Sequence, residues 1–100
     1  MQHFGKEYFQ FFESRPAAER RDYTHQDGVT SVVAVSLSDG KVDEAFAGVY
    51  ETNGKLRFEQ VLDSKALQLL VGDTSIDYME TLARLTELVT EKAGSVVVKN

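Results

Sequence analysis

Hydrophobic and polar residues alternate most clearly in the middle of the chain, where three runs rich in β-branched and aromatic residues follow one another. The runs cover residues 29–37, 42–51 and 56–62, and this pattern is typical of β-strands. They are separated by Asp39-Gly40 and Asn53-Gly54, which favour two-residue type I′ turns because both central residues need positive φ. The pattern therefore predicts a three-stranded antiparallel β-meander.

The two turns also predict a register, in which neither face of the sheet is polar. Ala34 lies opposite Ala45 on one face, together with Ala47, while Phe46 and Tyr50 belong to the other face. An antiparallel sheet with one solvated side should alternate between apolar and polar residues. Both faces therefore need cover, either from helices on each side or from a second copy of the chain, and we expect a homodimer.

An aromatic helix is predicted before the meander, over residues 2–14. Phe4, Tyr8, Phe11 and Phe12 recur at helical spacing, with Phe9 beside them. This is more aromatic surface than one buried stripe needs, and aromatic residues often anchor interfaces. Phe9 and Phe12 are therefore candidates for an interface or a pocket, although most of the rings are expected to pack on the alanine-rich sheet face.

Between this helix and the meander, the sequence predicts the end of the first helix, then a short helix and then a loop. Pro16 ends the first helix, because the residue before a proline is disfavoured in the helical region. Residues 16–22 fit a short second helix with the proline near its start, and residues 23–28 fit a loop. The arginines of this segment alternate with acids, which predicts a surface laced with ion pairs.

A long amphipathic helix follows the meander. Tyr78, Leu82, Leu85 and Val89 form one stripe, and Gly94 ends the helix. Its predicted caps are Thr74 or Ser75. Residues 64–71 fit either a short helix or a fourth strand, and we favour a helix; residues 95–99 fit a short strand at an edge of the sheet.

These elements predict one domain over residues 1–100 with an α+β fold. It consists of a three- to four-stranded antiparallel β-meander flanked by an N-terminal aromatic helix and a C-terminal amphipathic helix. Its 42% apolar and 27% charged residues are those of an ordinary globular domain.

Composition and charge exclude several function classes. Sixteen acidic residues against eleven Lys and Arg give a net charge of −5, which argues against binding to nucleic-acid phosphates or to acidic membranes. There is no cysteine for a disulfide, a thiolate metal site or a nucleophile. No apolar run is long enough to span a membrane, and no secretory signal pattern begins the chain, so we expect a cytoplasmic protein.

Few residues are candidates for catalysis or metal binding. His25 and Asp27 lie in one short stretch and could form an acid–base pair or part of a metal site, but a solvated turn is the better interpretation. No motif for nucleophilic catalysis, phosphate binding or metal ligation occurs. We therefore predict no catalytic residue, no metal and no cofactor.

Taken together, the sequence favours a small acidic module that docks on another protein, as inhibitors, immunity proteins, antagonists and secretion chaperones do. The partner is expected to be basic, since acidic surfaces speed encounter with such partners. The alternative is a small-ligand binder or minor enzyme with a pocket between the N-terminal helix and the sheet, its polar groups being His25, Asp27 and Tyr50. The predicted contacts with the partner are acidic: Asp39, Asp43, Glu51, Asp73, Asp77 and Glu80.

Overall fold

The computed structural model of the chain describes residues 4–72 and 77–99. Three helices and five strands make up these residues, in an α+β arrangement: α1 (Lys6–Ser14), β1 (Glu19–His25), β2 (Thr30–Ser38), β3 (Lys41–Tyr50), β4 (Leu56–Leu62), α2 (Ser64–Val71), α3 (Tyr78–Ala93) and β5 (Val97–Lys99). The strands form one antiparallel sheet in the order β4-β3-β2-β1-β5. The predicted fold class is confirmed, and β4 and β5 are the edges of the sheet.

Strand β1 was not predicted: the short helix over residues 16–22 is wrong, and residues 23–25 of the predicted loop belong to this strand. Glu19–His25 pairs with β2 along its length, with Arg20 opposite Ala34 and Asp22 opposite Val32. Four of the seven side chains of β1 are charged, and they lie on both faces of the strand. The apolar residues that pack around the strand belong to neighbouring elements. Alternation of apolar and polar residues, which marks most strands, is therefore missing here.

The register of the first hairpin differs from the predicted one, because its second strand contains a bulge. The Asp39-Gly40 turn has positive φ at both residues and places Leu37 opposite Val42, as two-residue turns do. Asp43 is then an extra residue, so that Ala34 faces Phe46 rather than Ala45. A bulge adds one residue to a single strand and moves every later side chain by one position.

The second hairpin has a three-residue loop instead of a two-residue turn. Gly54 donates its N–H to the Glu51 carbonyl at 2.7 Å, and Glu51 donates to the Lys55 carbonyl at 2.8 Å. Gly54 has φ 86°, which closes such loops. Tyr50 consequently faces Leu56, and a bulge at Arg57 restores the predicted pairing of Val49 with Phe58.

Helices of the chain itself cover both faces of the sheet. On one face, α2 and α3 pack on a core that includes Val33, Ala45, Ala47, Leu67 and Leu85. On the other face, α1 packs on a core formed by Phe11, Val32, Ala34, Phe46 and Tyr50. The aromatic helix therefore packs on Phe46 and Tyr50, not on Ala45 and Ala47. The uncovered face that motivated a homodimer is absent from these residues, and dimerisation stays a prediction.

The elements after the meander agree with the sequence. Residues 64–71 form a helix capped by Asp63, whose side chain accepts the N–H of Ala66 at 2.9 Å. Helix α3 ends at Gly94 in a left-handed conformation, as predicted, but its N-cap is Asp77. The predicted caps Thr74 and Ser75 lie outside the described residues. The last strand, β5, adds to the edge at β1.

Candidate functional site

A surface groove runs along the line where helix α1 meets the edge strand β4. It consists of two adjoining recesses of about 450 and 500 Å³ that share Glu7. One wall is α1 and the other is β4, with Phe11, Leu56, Phe58 and Val61 supplying apolar surface. We call this the α1–β4 groove. No other described strand pairs with the outer edge of β4.

Glu59 of β4 fixes helix α1 above the sheet and so shapes this groove. Gly5, the N-cap residue of α1, has no side chain to cap the helix. The Glu59 carboxylate takes that role, accepting N–H bonds from Gly5 at 2.8 Å and from Tyr8 at 3.3 Å. A carboxylate at a helix N-terminus satisfies free amides and interacts favourably with the helix dipole.

Tyr50 adds a hydrogen bond to Glu59 from the core between α1 and the sheet. Its ring is fully buried, and its hydroxyl donates to Glu59 Oε2 at 2.6 Å. Burial raises the pKa of the Tyr50 hydroxyl far above its usual range, and the bond to Glu59 raises it further. The Tyr50 hydroxyl therefore stays a donor to Glu59 and helps to hold this carboxylate in place.

The ring of Tyr50 fits because residue 48 is glycine. Gly48 faces Glu59 across the strand pair, and a Cβ at this position would lie 2.9 Å from Tyr50 Cζ, nearer still to the hydroxyl, and 3.1 Å from Phe46 Cε2. The missing side chain thus leaves the space that the Tyr50 ring occupies on its way to Glu59.

The aromatic residues of α1 are joined to the sheet by two arginines. The Arg20 guanidinium lies 5.7, 5.3 and 5.4 Å from the ring centres of Phe4, Tyr8 and Phe12, within cation–π distance. Arg20 also pairs with Asp22 at 2.7 Å. Phe12 is half-buried in this cluster and in contact with Phe46, so it belongs to the core rather than to a free interface.

The second arginine closes the other end of α1. Arg15 donates its Nε–H to Glu44 Oε1 at 2.9 Å and lies 5.0 Å from the centre of the Phe11 ring. Of the ion pairs that the sequence predicted for this segment, Arg20–Asp22 forms, on a strand rather than a helix, while Arg15 pairs with Glu44 outside the segment. Phe9, by contrast, is 50% exposed.

The predicted acidic contacts are spread over the molecule. Asp39 and Asp43 are exposed at the start of β3, and Glu51 follows its end, about 30 Å away for a strand of this length. Glu51 pairs with Arg57 at 3.2 Å. The structure does not bring these three residues together.

The acids at the start of α3 have local partners. The Asp77 side chain accepts the N–H of Glu80 at 3.1 Å as the helix cap. Glu80 in turn pairs with Arg84 at 3.1 Å. Asp73 lies outside the described residues.

Of the three residues named for a polar pocket, His25 and Asp27 meet at Ser95, whereas Tyr50 lies on the other face of the sheet. His25 is 1% exposed, and its Nδ1 bonds the Ser95 carbonyl at 2.9 Å while its Nε2 bonds Ser31 Oγ at 2.8 Å. Because a carbonyl only accepts, Nδ1 carries a proton and donates it to the Ser95 carbonyl. Ser31 shares the α3 face with Val33, whereas Tyr50 lies on the α1 face. His25 thus joins β5 to the sheet.

Asp27 holds the same junction from outside. Its Oδ1 accepts the Ser95 hydroxyl at 2.9 Å and the Val29 N–H at 3.1 Å. The bond from Ser95, followed by that from Val29, holds the pKa of the Asp27 carboxyl below its usual 3.8.

This shift predicts a pH-dependent contribution to stability. A carboxyl whose pKa is lower in the folded state stabilises the fold above its unfolded pKa, and the contribution disappears as the pH falls through the folded value. We expect Asp27→Asn to lower the urea midpoint at about pH 7, and the difference from wild type to shrink on acidification towards about pH 3. Equal differences at both pH values would contradict a charge-based role.

The described residues hold neither a metal-ligand cluster nor a membrane-spanning helix. Within residues 4–72 and 77–99, no group of three or more His, Asp or Glu side chains could hold a metal ion. None of the helices in that part of the chain is long and apolar enough to cross a membrane.

The residues that shape the α1–β4 groove were missed by the sequence analysis. Glu7, Glu13, Leu56, Glu59 and Val61 looked like ordinary members of an amphipathic helix and a strand. The one available signal was that the last strand of the predicted meander is followed in the sequence by a predicted helix and not by a further strand that could pair with it.

Comparisons with protein-family models, with curated proteins and with solved structures found no match for this chain. The site therefore rests on its own geometry.

Proposed function

We propose that this chain is a non-catalytic protein-binding module that accepts an extended segment of another protein along the outer edge of β4. The observation that carries the proposal is the α1–β4 groove beside an unpaired strand edge. An extended peptide can add to such an edge through main-chain hydrogen bonds, while side-chain pockets supply specificity.

The two edges of the sheet differ in a way that favours β4. Strand β5 has three residues, and short edge strands are one means by which proteins prevent pairing with other chains. Strand β4 has seven residues, about 23 Å, and Leu56 on it is 43% exposed. It also has the wall of α1 beside it, which β5 lacks among the described elements.

The alternative of a small-ligand pocket beneath α1 has less support. Phe11, Phe46 and Tyr50 fill the space between α1 and the sheet, each at most 1% exposed. Their rings pack with those of Phe12 and Phe4 at centre distances of 5.1–5.6 Å. Space for a ligand is found at the border of this core, in the groove.

The proposal includes the narrower expectations drawn from the sequence. Docking without chemistry is the mode of inhibitors, immunity proteins and chaperones, and a cytoplasmic setting is part of the same proposal. A homodimer is a competing use of the same edge, because both faces of the sheet are already covered.

A peptide selection with a blocked variant tests the proposal. Twelve-residue random peptides displayed on phage are selected on the wild-type protein, and the Kd of the best peptide is measured. Ser14 is exposed and lines the groove, so Ser14→Trp fills it without removing a core contact. We expect Ser14→Trp to weaken binding at least about tenfold, and amide shifts on binding to concentrate in β4 and α1.

Ser38→Trp is the matched control, since Ser38 is exposed at the far end of β2 and outside the groove. It should leave the Kd unchanged. Shifts that map to β5 or to α3, or equal losses in the two tryptophan variants, would overturn the proposal.

A further inference from the structure

The α1–β4 groove carries charge that no described residue neutralises. Glu7 and Glu13 line it from α1. Within residues 4–72 and 77–99, the ion pairs involve Arg15, Arg20, Arg57 and Arg84, and none of them includes Glu7 or Glu13.

The other charged groups that line the groove are mostly engaged. Arg15 pairs with Glu44, and Arg57 pairs with Glu51. Glu59 accepts from Tyr50 and from the start of α1. Among the described cations on the walls, Lys6 alone is unpaired, against the two unpaired acids Glu7 and Glu13, so the free charge of the groove is acidic by one.

The spacing of the two free acids fits an extended chain. Glu7 and Glu13 are six residues apart on α1, about 9 Å along the helix axis and about 120° apart around it, and both border the same recess. Side chains at positions i and i+2 of a strand lie on one face, about 6.7 Å apart. Two long basic side chains at those positions can reach both acids, since lysine and arginine have flexible stems.

We propose that the segment taken up by the α1–β4 groove is basic, with Lys or Arg at two alternate positions facing α1. This inference rests on the proposed function and names its partner. The net charge of −5 adds long-range attraction for such a segment. A second copy of the chain would instead bring another Glu7 and Glu13 into the same groove, where like charges oppose it.

Synthetic nine-residue peptides of alternating Thr and Val test this inference. One version carries Lys at positions 4 and 6, and the matched versions carry Gln or Glu there. A further version carries Lys at positions 4 and 5, so that the two cations face opposite sides. Kd values come from amide shifts of the labelled protein during titration.

We expect the 4,6-Lys peptide to bind about fivefold more tightly than the Gln peptide, and the Glu peptide to bind most weakly. The 4,5-Lys peptide should lie between the first two. The preference for Lys should vanish in the double variant Glu7→Gln, Glu13→Gln. It should persist in Glu19→Gln, Glu91→Gln, which changes the net charge equally at exposed positions outside the groove.

The outcomes separate the two proposals. Equal Kd values for the Lys, Gln and Glu peptides, with shifts still in β4, would overturn the basic segment and leave edge binding intact. Absence of binding by every peptide would overturn both. Sedimentation showing a dimer that the peptide does not displace would assign the groove to a second copy and overturn the inference.

Discussion

Replacing Phe11 by alanine is expected to lower the free energy of unfolding by about 3–5 kcal/mol. Phe11 is the one fully buried side chain of α1, at 1% exposure, and its ring packs 5.7 Å from that of Phe46. A helix of nine residues has little stability of its own, so it depends on this packing. Loss of the ring should therefore loosen α1 and remove one wall of the groove.

Phe9→Ala is the matched control, on the same helix and two residues away. Because the Phe9 ring is 50% exposed, its removal should cost less than about 1 kcal/mol. Urea unfolding of the two variants measures the difference. Similar values for Phe11→Ala and Phe9→Ala would show that α1 is not held on the sheet by its buried ring.

The second large effect is expected from Gly48→Ala, which adds a single methyl group. The new carbon would overlap the Tyr50 ring at its Cζ and hydroxyl ends. The ring is buried and has no open space to enter, so it must shift and weaken its bond to Glu59. Overpacking together with a poorly satisfied buried hydroxyl should cost about 2–4 kcal/mol.

A double-mutant cycle with Tyr50→Phe identifies the cause. Removing the hydroxyl relieves the closest overlap, so Gly48→Ala should cost at least about 1 kcal/mol less in the Tyr50→Phe background. Strictly additive free energies of unfolding would mean that the alanine acts elsewhere, for example on the Phe46 ring.

The sequence predicted those parts of the fold that depend on short-range signals. The Asp39-Gly40 turn, the apolar stripe of α3 and its end at Gly94 each depend on residues within a few positions of one another. For this reason the α+β fold, the meander and the helix at residues 64–71 could be anticipated.

Strand β1 shows why the rest of the fold could not be predicted from local patterns. Arg20 and Asp22 are charged, and what stabilises their strand lies elsewhere in the chain: pairing with β2, and contact of Arg20 with the rings of Phe4, Tyr8 and Phe12. No local pattern contains this information. The two bulges could not be predicted either, since nothing in the sequences of the turns indicates an extra residue at Asp43 or Arg57.

The candidate site was beyond prediction for a related reason. Glu59 meets the N–H of Gly5 across 54 positions of sequence, and Glu7 and Glu13 matter because β4 lies beside them. The acids chosen from the sequence, such as Glu51 and Asp77, turned out to serve ion pairs and a helix cap.

The long-range pairing of β5 with β1 predicts which part of the sheet unfolds locally first. Strands β2, β3 and β4 pair with neighbours in sequence, whereas β5 reaches β1 only after about 70 residues of intervening chain. Closing that loop costs chain entropy, and three residues return few hydrogen bonds. The backbone amides of Val97–Lys99 should therefore exchange with solvent through local opening, well before the central hairpins unfold.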